Sequence, residues 1–209
     1  MAAWALALYA LYLALAFGGR ALLQVRSTGS TGFNGISGRP LSAEWVGGVL
    51  FVGASLLLLA APLLDLVGVL RPVSFIDGPA GHALGFALFF AGLAGTLLAQ
   101  IAMGASWRVG VDQAERTELV TAGPSALVRN PIFSAMVPAF LGLALLVPNL
   151  VALLAVAGLV AAVEIQVRLV EEPYLLRVHG VRYAEYASRV GRFVPGFGRL
   201  RAGAKFPAL

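Results

Sequence analysis

Cysteine is absent from the sequence, and only two histidines and one lysine occur among its 209 residues. The absence of cysteine excludes disulfides, thiolate catalysis and metal sites built on cysteine. The two histidines, His82 and His179, are far apart in the sequence, so a histidine-rich metal site is not expected. The sequence therefore predicts no metal centre.

Charged residues are also scarce: they make up 12% of the chain, against about 25% in a typical soluble domain. Mean hydropathy is +0.87. A helix needs about 20 apolar residues to cross the hydrocarbon core of a bilayer. Five runs are nearly charge-free, and the first three of them reach or approach that length: Ala2–Phe17, Trp45–Leu64, Ala80–Met103, Pro131–Val147 and Leu150–Val163. We therefore predict an all-α integral membrane protein with about five transmembrane helices.

The first run and the last two runs are short for a full crossing. The first is long enough if its helix continues through residues 21–25. Because it lacks a basic leading segment, it is expected to be a retained helix and not a signal peptide. The last two runs flank Pro148 and Asn149, which predict a tight helical hairpin with its turn at the far interface.

Basic residues are distributed unevenly between the predicted loops. With five spans, all of the 15 basic residues except Arg71 fall on one side of the membrane. The cytoplasmic side usually carries the excess of lysine and arginine, so the pattern predicts an external N-terminus and a cytoplasmic C-terminus. The Ala- and Arg-rich composition is typical of a GC-rich bacterial source. We therefore expect a bacterial inner-membrane protein with some attraction to anionic headgroups and no nucleic-acid partner.

A polar block lies between residues 119 and 133, after a long hydrophobic run. Asn130 followed by Pro131 is typical of a helix start, because asparagine caps helix N-termini and proline is tolerated in the first turn. A role in ligand binding is the alternative, and the two are compatible. Further upstream, the Gly/Ser/Thr-rich residues 27–40 predict a flexible connector, with an anion-binding nest or a lid as the alternative.

The end of the last predicted span concentrates ionisable residues. Four of them have the spacing i, i+4, i+7 and i+8, which places them on one face of an α-helix: Glu164, Arg168, Glu171 and Glu172. Arg168 can pair with any of the three glutamates. Ionisable residues at membrane depth usually face a bundle interior or a cavity, so this face is a candidate functional site. The alternative is a salt-bridge network that fixes the helix end.

Proline and tyrosine mark the segment after this face. Pro173 is expected to kink or restart the helix. Tyr183 and Tyr186 are three residues apart and share a helix face, either within a site or as anchors at the headgroup level. His179, next to Gly180, has the position of a helix C-terminal residue and is not expected to act as a base.

Short motifs follow one another across residues 100–197. They are Gly104-x-Ser-Trp-Arg108-x-Gly110, Leu119-Val-Thr-x-Gly-Pro124, Val128-Arg-x-Pro131, Glu171-Glu172, Gly180-x-x-Tyr183-x-x-Tyr186 and Arg189-Val-x-Arg-Phe-x-Pro195. This ordered set resembles the isoprenylcysteine carboxyl methyltransferase family, which is related to integral-membrane phospholipid methyltransferases. The resemblance covers about half of the chain. The sequence departs from the family pattern at Ser125, Asn130 and Phe133, where Tyr, His and Tyr are usual.

The resemblance implies a pocket for S-adenosylmethionine at the cytosolic face, closed by a C-terminal helix. It assigns cofactor binding to Val120, Gly123, Arg129, Asn130, Pro131, Glu171, Glu172 and Tyr183. It assigns catalytic roles to Arg129, Arg168 and Glu172, with an arginine orienting an acceptor carboxylate through a bidentate contact. Trp107 is a further candidate, for stacking on the cofactor or for anchoring at the interface. Asparagine still donates and accepts hydrogen bonds, so cofactor binding is expected to survive at Asn130.

The predicted organisation has three parts. Residues 1–103 form a three-helix membrane region, residues 104–197 form a methyltransferase-like region with its hairpin at 131–170, and residues 198–209 form a basic tail. The predicted activity is methyl transfer from S-adenosylmethionine to an isoprenoid or lipid-like acceptor from the bilayer, with carboxyl O-methylation as one form. Two alternatives stay open: an NADPH-dependent membrane sterol or enone reductase, and a non-enzymatic lipid-binding membrane protein.

Overall fold

The protein is a bundle of long helices with a short helix after the last of them. The computed structural model describes residues 1–32, 35–104 and 119–200. The helices in these residues are α1 (Ala2–Thr28), α2 (Ala43–Leu66), α3 (Pro79–Met103), α4 (Pro131–Leu146), α5 (Leu150–His179) and α6 (Val181–Arg189), with a 3₁₀ turn at Gly123–Ala126. Trp107, most of the motif at 104–110 and residues 201–209 of the predicted tail lie outside the described residues.

Helix length and composition confirm the all-α integral membrane class. Among the described helices, α1, α2, α3 and α5 are long and apolar enough to cross a membrane, with 27, 24, 25 and 30 residues. Helix α4 is also apolar but has only 16 residues. That length is about 24 Å, against a hydrocarbon core of about 30 Å. Four helices, not the predicted five, therefore have the length of a full crossing.

Contacts along the helices fix which ends lie together. Helices α1 and α3 are parallel, because Tyr12 is bonded to Thr96 and, two turns on, Arg20 donates to the carbonyl of Gly104. Helix α4 is antiparallel to α3, and α5 is antiparallel to both α4 and α2. The C-terminal ends of α1, α3 and α5 therefore meet the N-terminal ends of α2 and α4. We call this the near end of the bundle. The basic residues of the described ranges, apart from Arg71, belong to it.

Helix α1 is a single helix with an irregular middle, and it continues through residues 21–25 as its length requires. Its parts are α-helical Ala2–Tyr12, π-helical Leu13–Gly19 and α-helical Arg20–Thr28. A π segment changes the i→i−4 pattern of backbone hydrogen bonds. Within it, the carbonyl of Ala16 accepts a bond of 2.8 Å from the side chain of Gln100 on α3. One turn earlier, Tyr12 and Thr96 are bonded at 3.1 Å. These polar contacts join α1 to α3.

The predicted hairpin forms, but its second arm is longer than expected. Asn149 fixes the turn: its side-chain oxygen accepts from the amide of Ala152 at 2.9 Å, and its side-chain nitrogen donates to the carbonyl of Ala61 at 3.3 Å. The second arm then extends past residue 170 to His179. It comprises α-helical Leu150–Ile165, π-helical Gln166–Glu171 and α-helical Glu172–His179.

The effect predicted for Pro173 takes the form of that π segment. Proline has no N–H to donate, and its ring clashes with the carbonyl four residues earlier in a regular α-helix. The wider π turn just before Pro173 gives that carbonyl room. The helix therefore changes its winding and continues, and it ends at His179 as predicted, where Gly180 has a φ of 53°.

Glycine lets α3 and α4 approach backbone to backbone. A Cβ on Gly92 would lie 2.6 Å from the carbonyl oxygen of Ala135 and from the amide nitrogen of Ala139. A Cβ on Gly142 would lie 2.5 Å from the carbonyl oxygen of Gly85. Only glycine fits at such distances, so the backbones of α3 and α4 are in direct contact at Gly92 and Gly142.

Substitution of Gly92 by leucine should separate α3 from α4. We expect Gly92→Leu to lower stability by about 3 kcal/mol or more, because overpacking of this kind forces the backbones apart. The matched control is Gly53→Leu on α2, where an added Cβ meets no atom within 4 Å. Thermal unfolding of the detergent-purified variants measures the difference. Equal melting temperatures for the two variants would contradict the close contact.

Candidate functional site

The paired glutamates lie at the near end of α5, close to the expected membrane boundary. Along the helix axis, Glu172 is roughly 30–35 Å from the Asn149 turn, about the thickness of a hydrocarbon core. Glu172 is nevertheless only 5% exposed, so it is covered by protein. A charge covered in this way needs partners.

Two arginines provide those partners. Oε1 of Glu172 accepts from Nη2 of Arg129 at 2.5 Å and from Nε of Arg192 at 2.8 Å. Oε2 accepts from Nη2 of Arg192 at 2.8 Å, so Arg192 makes a bidentate contact with the carboxylate. We call Arg129, Glu172 and Arg192 the clasp. It joins the segment before α4, the end of α5 and the C-terminal segment.

Arg129 also closes the C-terminal end of α6. Its Nη1 donates to the carbonyls of Ala187 and Val190, at 3.0 and 2.6 Å, and its Nη2 donates to the carbonyl of Gly198 at 3.1 Å. The last carbonyls of a helix carry partial negative charge, so a guanidinium is favourable there. With Glu172, these acceptors use all four N–H groups of the two terminal nitrogens. In this arrangement Arg129 is not available for a bidentate contact with an acceptor carboxylate.

Backbone pairing reinforces the clasp. Val128 and Gly191 form an isolated parallel β-bridge, and the amide of Arg129 donates to the carbonyl of Gly191 at 2.8 Å. Both the amide and the side-chain nitrogen of Asn130 donate to the carbonyl of Arg192 at 3.1 Å. Asn130 thus stands at the start of α4, as predicted, but its side chain does not cap that helix. It binds the C-terminal segment instead.

Gly191 allows the C-terminal segment to fold back at this point. A Cβ on Gly191 would lie 2.1 Å from the carbonyl oxygen of Val194 and 2.7 Å from that of Phe197. The amide of Arg192 donates to the same Phe197 carbonyl at 2.8 Å. This tight turn presents the side chain of Arg192 to Glu172.

Two buried tyrosines hold α6 in place. Tyr183 and Tyr186 pack with Ala187 and against Leu119, and the hydroxyl of Tyr186 donates to the carbonyl of Ser125 at 2.5 Å. Burial raises the pKa of Tyr186 to about 12. Burial, and then the negative charge of Glu172, raise the pKa of Tyr183. Both phenols therefore stay protonated near neutral pH. They are core residues of this region, and the interpretation as headgroup anchors is not supported.

The four ionisable residues of the last span do not share one face, which corrects the prediction. A π segment acts like the insertion of one residue and rotates the residues after it by about 100°. Glu172 enters the clasp, while the carboxyl of Glu171 is hydrogen-bonded to Gln166. Arg168 pairs with Glu164 alone among the three glutamates, and both side chains are well exposed, at 55% and 36%.

The predicted site residues therefore fall into four groups. Arg129, Asn130, Pro131 and Glu172 form or adjoin the clasp. Glu171 and Tyr183 lie beside it, close enough for the charge of Glu171 to act on the hydroxyl of Tyr183. Val120 and Gly123 belong to the segment between α3 and the clasp, where a Cβ on Gly123 would lie 3.6 Å from Ala102. Arg168 is paired with Glu164, whose charge acts on Arg192 of the clasp, but Arg168 itself is not a member of the clasp. Arg192 is a site residue that the sequence did not predict. Its position in the motif Arg189-Val-x-Arg was the one indication of such a role.

The fold and the site define an integral membrane protein with a polar, ion-paired centre at one end of its helix bundle. Comparison with protein families makes this more specific: residues 80–182 match the phospholipid methyltransferase family. The chain thus belongs to that family of integral-membrane methyltransferases, which includes the isoprenylcysteine carboxyl methyltransferases. Membership implies a membrane methyltransferase that acts on lipid-like substrates.

The matched region is about half of the chain and begins at the start of α3, within the predicted N-terminal part. It ends within α6, before Arg192. Searches of curated proteins and of solved structures find no significant match.

Loss of the clasp carboxylate should release the C-terminal segment. Glu172→Gln leaves two arginines without a counter-charge, at a cost of about 3 kcal/mol for a buried pair. We expect limited trypsin digestion to cleave after Arg189 about tenfold faster or more. Glu164→Gln is the matched control, because an exposed pair is worth about 0.5 kcal/mol. Equal cleavage rates in the two variants would show that the clasp does not hold the segment.

Proposed function

We propose that this protein transfers a methyl group from S-adenosylmethionine to a lipophilic acceptor that reaches the near end from the bilayer. The match of residues 80–182 to the phospholipid methyltransferase family is the observation that carries the proposal. The motifs shared with the isoprenylcysteine carboxyl methyltransferases favour an isoprenoid or lipid-like acceptor. They make a carboxylate, methylated on oxygen, the first acceptor group to test.

The polar groups beside the clasp fit the donor set of the cofactor. A carboxylate has roughly four acceptor positions, and the bond from Gln166 occupies one of those on Glu171. Ammonium and ribose hydroxyl groups donate to such positions. Gly123 has a φ of 60° and is exposed in the described part of the chain. We therefore assign the cofactor contacts to Glu171 and to the main chain of Val120 and Gly123.

The clasp residues serve the same function indirectly. Arg129 and Glu172 are engaged with each other and with the C-terminal segment, and Asn130 binds the carbonyl of Arg192. With Pro131 they fix the start of α4 against α5 and α6. Tyr183 is buried beneath Glu172 and Arg129. We assign these residues to positioning, in place of the direct contacts that the resemblance implied for them.

Methyl transfer needs alignment more than acid–base chemistry. S-adenosylmethionine, when bound, supplies a methyl group on a positively charged sulfur, which is open to in-line displacement. The protein has to align the acceptor with it and to exclude water. An acceptor carboxylate is already a nucleophile and needs no general base. Arg168 suits the orientation of such a group, because it is exposed at the near end and its guanidinium can bind a carboxylate in a bidentate manner.

We also propose that the near end is cytoplasmic and that the membrane is a bacterial inner membrane. The distribution of arginines supports the orientation, and the Ala- and Arg-rich composition supports the bacterial source. We expect a green fluorescent protein fused to the C-terminus to fluoresce in intact cells, and alkaline phosphatase fused at the same place to be inactive. Alkaline phosphatase inserted between α2 and α3, near Arg71, should be active. The opposite pattern would reverse the proposed orientation.

Ligand-induced stabilisation distinguishes the proposed activity from its alternatives. A ligand that binds only the folded state raises stability by about 2.7 kcal/mol at 100 times its Kd. We expect S-adenosylhomocysteine to raise the melting temperature of the detergent-purified protein, and NADPH to leave it unchanged. Stabilisation by NADPH alone would indicate a reductase, and no response to either ligand would favour a non-enzymatic lipid-binding protein.

A positive result leads to an acceptor assay. Radiolabelled S-adenosylmethionine is incubated with the protein and a long-chain prenyl carboxylic acid, with its methyl ester as the control. Label transfer to the acid and not to the ester would support carboxyl methylation. Transfer to a lipid amine instead would retain the methyltransferase and change its acceptor.

A further inference from the structure

The π segment of α5 brings Gln166 and Glu171 together. In an α-helix, residues five apart point about 140° away from each other. In a π-helix the repeating contact is i to i+5, so these two side chains become neighbours. The carboxyl of Glu171 accepts a hydrogen bond from the side chain of Gln166. The contact therefore depends on the irregular winding at Gln166–Glu171.

Helix α2 determines how Gln166 is oriented. A carboxylate can only accept, so the side-chain nitrogen of Gln166 must donate to Glu171. The other amide atom, Oε1, then faces α2, where it lies 3.2 Å from the position that a Cβ on Gly47 would take. Ile165 is 3.5 Å from the same position. Because Gly47 has no side chain, α2 approaches α5 closely enough to confine the amide of Gln166.

We propose that Gln166 is a positioning residue that holds the carboxylate of Glu171 toward the ammonium group of S-adenosylmethionine, with Gly47 providing the space that this requires. The inference rests on the proposed function. It adds two residues that the family motifs in the sequence do not contain. Gly47 lies outside the matched residues 80–182, so the N-terminal part of the chain also shapes the site.

The choice of the ammonium group follows from charge. Hydrogen bonds between an ionised donor and an ionised acceptor are about twice as strong as neutral ones. Of the two neighbouring glutamates, Glu172 has its charge compensated by two arginines, whereas the described hydrogen-bond partner of Glu171 is a neutral amide. Glu171 is therefore the carboxylate of the pair that is suited to a cationic ligand group.

Two nucleosides that differ in the amino acid group distinguish a positioning role of Gln166 from a general structural role. S-adenosylhomocysteine carries the amino acid group, whereas 5′-methylthioadenosine has the same adenine and ribose without it. We expect Gln166→Leu to weaken binding of S-adenosylhomocysteine about tenfold, the size of effect expected for one hydrogen bond to a charged group. Binding of 5′-methylthioadenosine should not change. Isothermal titration of the detergent-purified full chain measures both affinities.

Glycine variants test the contribution of α2. Gly47→Ala should weaken S-adenosylhomocysteine binding in the same selective way, but less than Gln166→Leu does. Gly53→Ala on the same helix is the matched control and should have no effect, because an added Cβ meets no atom within 4 Å there. Loss of both ligands in Gln166→Leu, or unchanged binding of both, would overturn the positioning role.

A double variant tests whether Gln166 acts through Glu171. Glu171→Gln should weaken S-adenosylhomocysteine binding on its own, and adding Gln166→Leu should cause little further loss. Additive losses would show that Gln166 acts by another route and would overturn the inference. Failure of the proposed function looks different, because the unmodified protein would then bind neither nucleoside.

Discussion

One carboxylate shared by two arginines is the interaction on which the near end depends. Glu172 brings together three parts of the chain: the segment before α4, the end of α5 and the C-terminal segment. Removing it would leave two guanidinium groups close together with no counter-charge. Arg129 also binds the final carbonyls of α6, so the location of that helix follows from the same ion pair. The main effect of the clasp is therefore to fix the relative positions of the three segments, and its net contribution to the free energy of folding is secondary.

The membrane-spanning part could be predicted because it depends on local properties of the sequence. Length and hydropathy located the helices, and Asn149 marked the hairpin turn. The near end could be predicted only in part. Motif order identified Arg129 and Glu172 as members of one site, but nothing local shows that Arg192 shares the carboxylate. Its partner is 20 residues away and is reached only through the turn at Gly191.

Helical winding explains the other difference between expectation and structure. Spacing arguments assume 3.6 residues per turn, and a single π turn violates that assumption without any change in amino-acid composition. Pro173 was the visible signal, since its missing N–H favours an irregular turn. As a result, the two neighbouring glutamates have different partners, which the sequence does not show. Glu172 is directed into the clasp, and Glu171 is directed to Gln166 and α2.

Asn130 fits this arrangement and bears on the acceptor. Its side chain needs only one N–H to reach the carbonyl of Arg192, and a histidine ring can supply that donor as well. With asparagine in place of the histidine that is usual in the family, the hydrogen bond to the carbonyl of Arg192 is kept, but a group that titrates near neutral pH is lost. The neighbouring tyrosines do not take over as bases, because burial raises the pKa values of Tyr183 and Tyr186. A hydroxyl or ammonium acceptor must lose a proton before it attacks, whereas a carboxylate is already ionised. The substitution thus favours an acid as the acceptor in the proposed reaction.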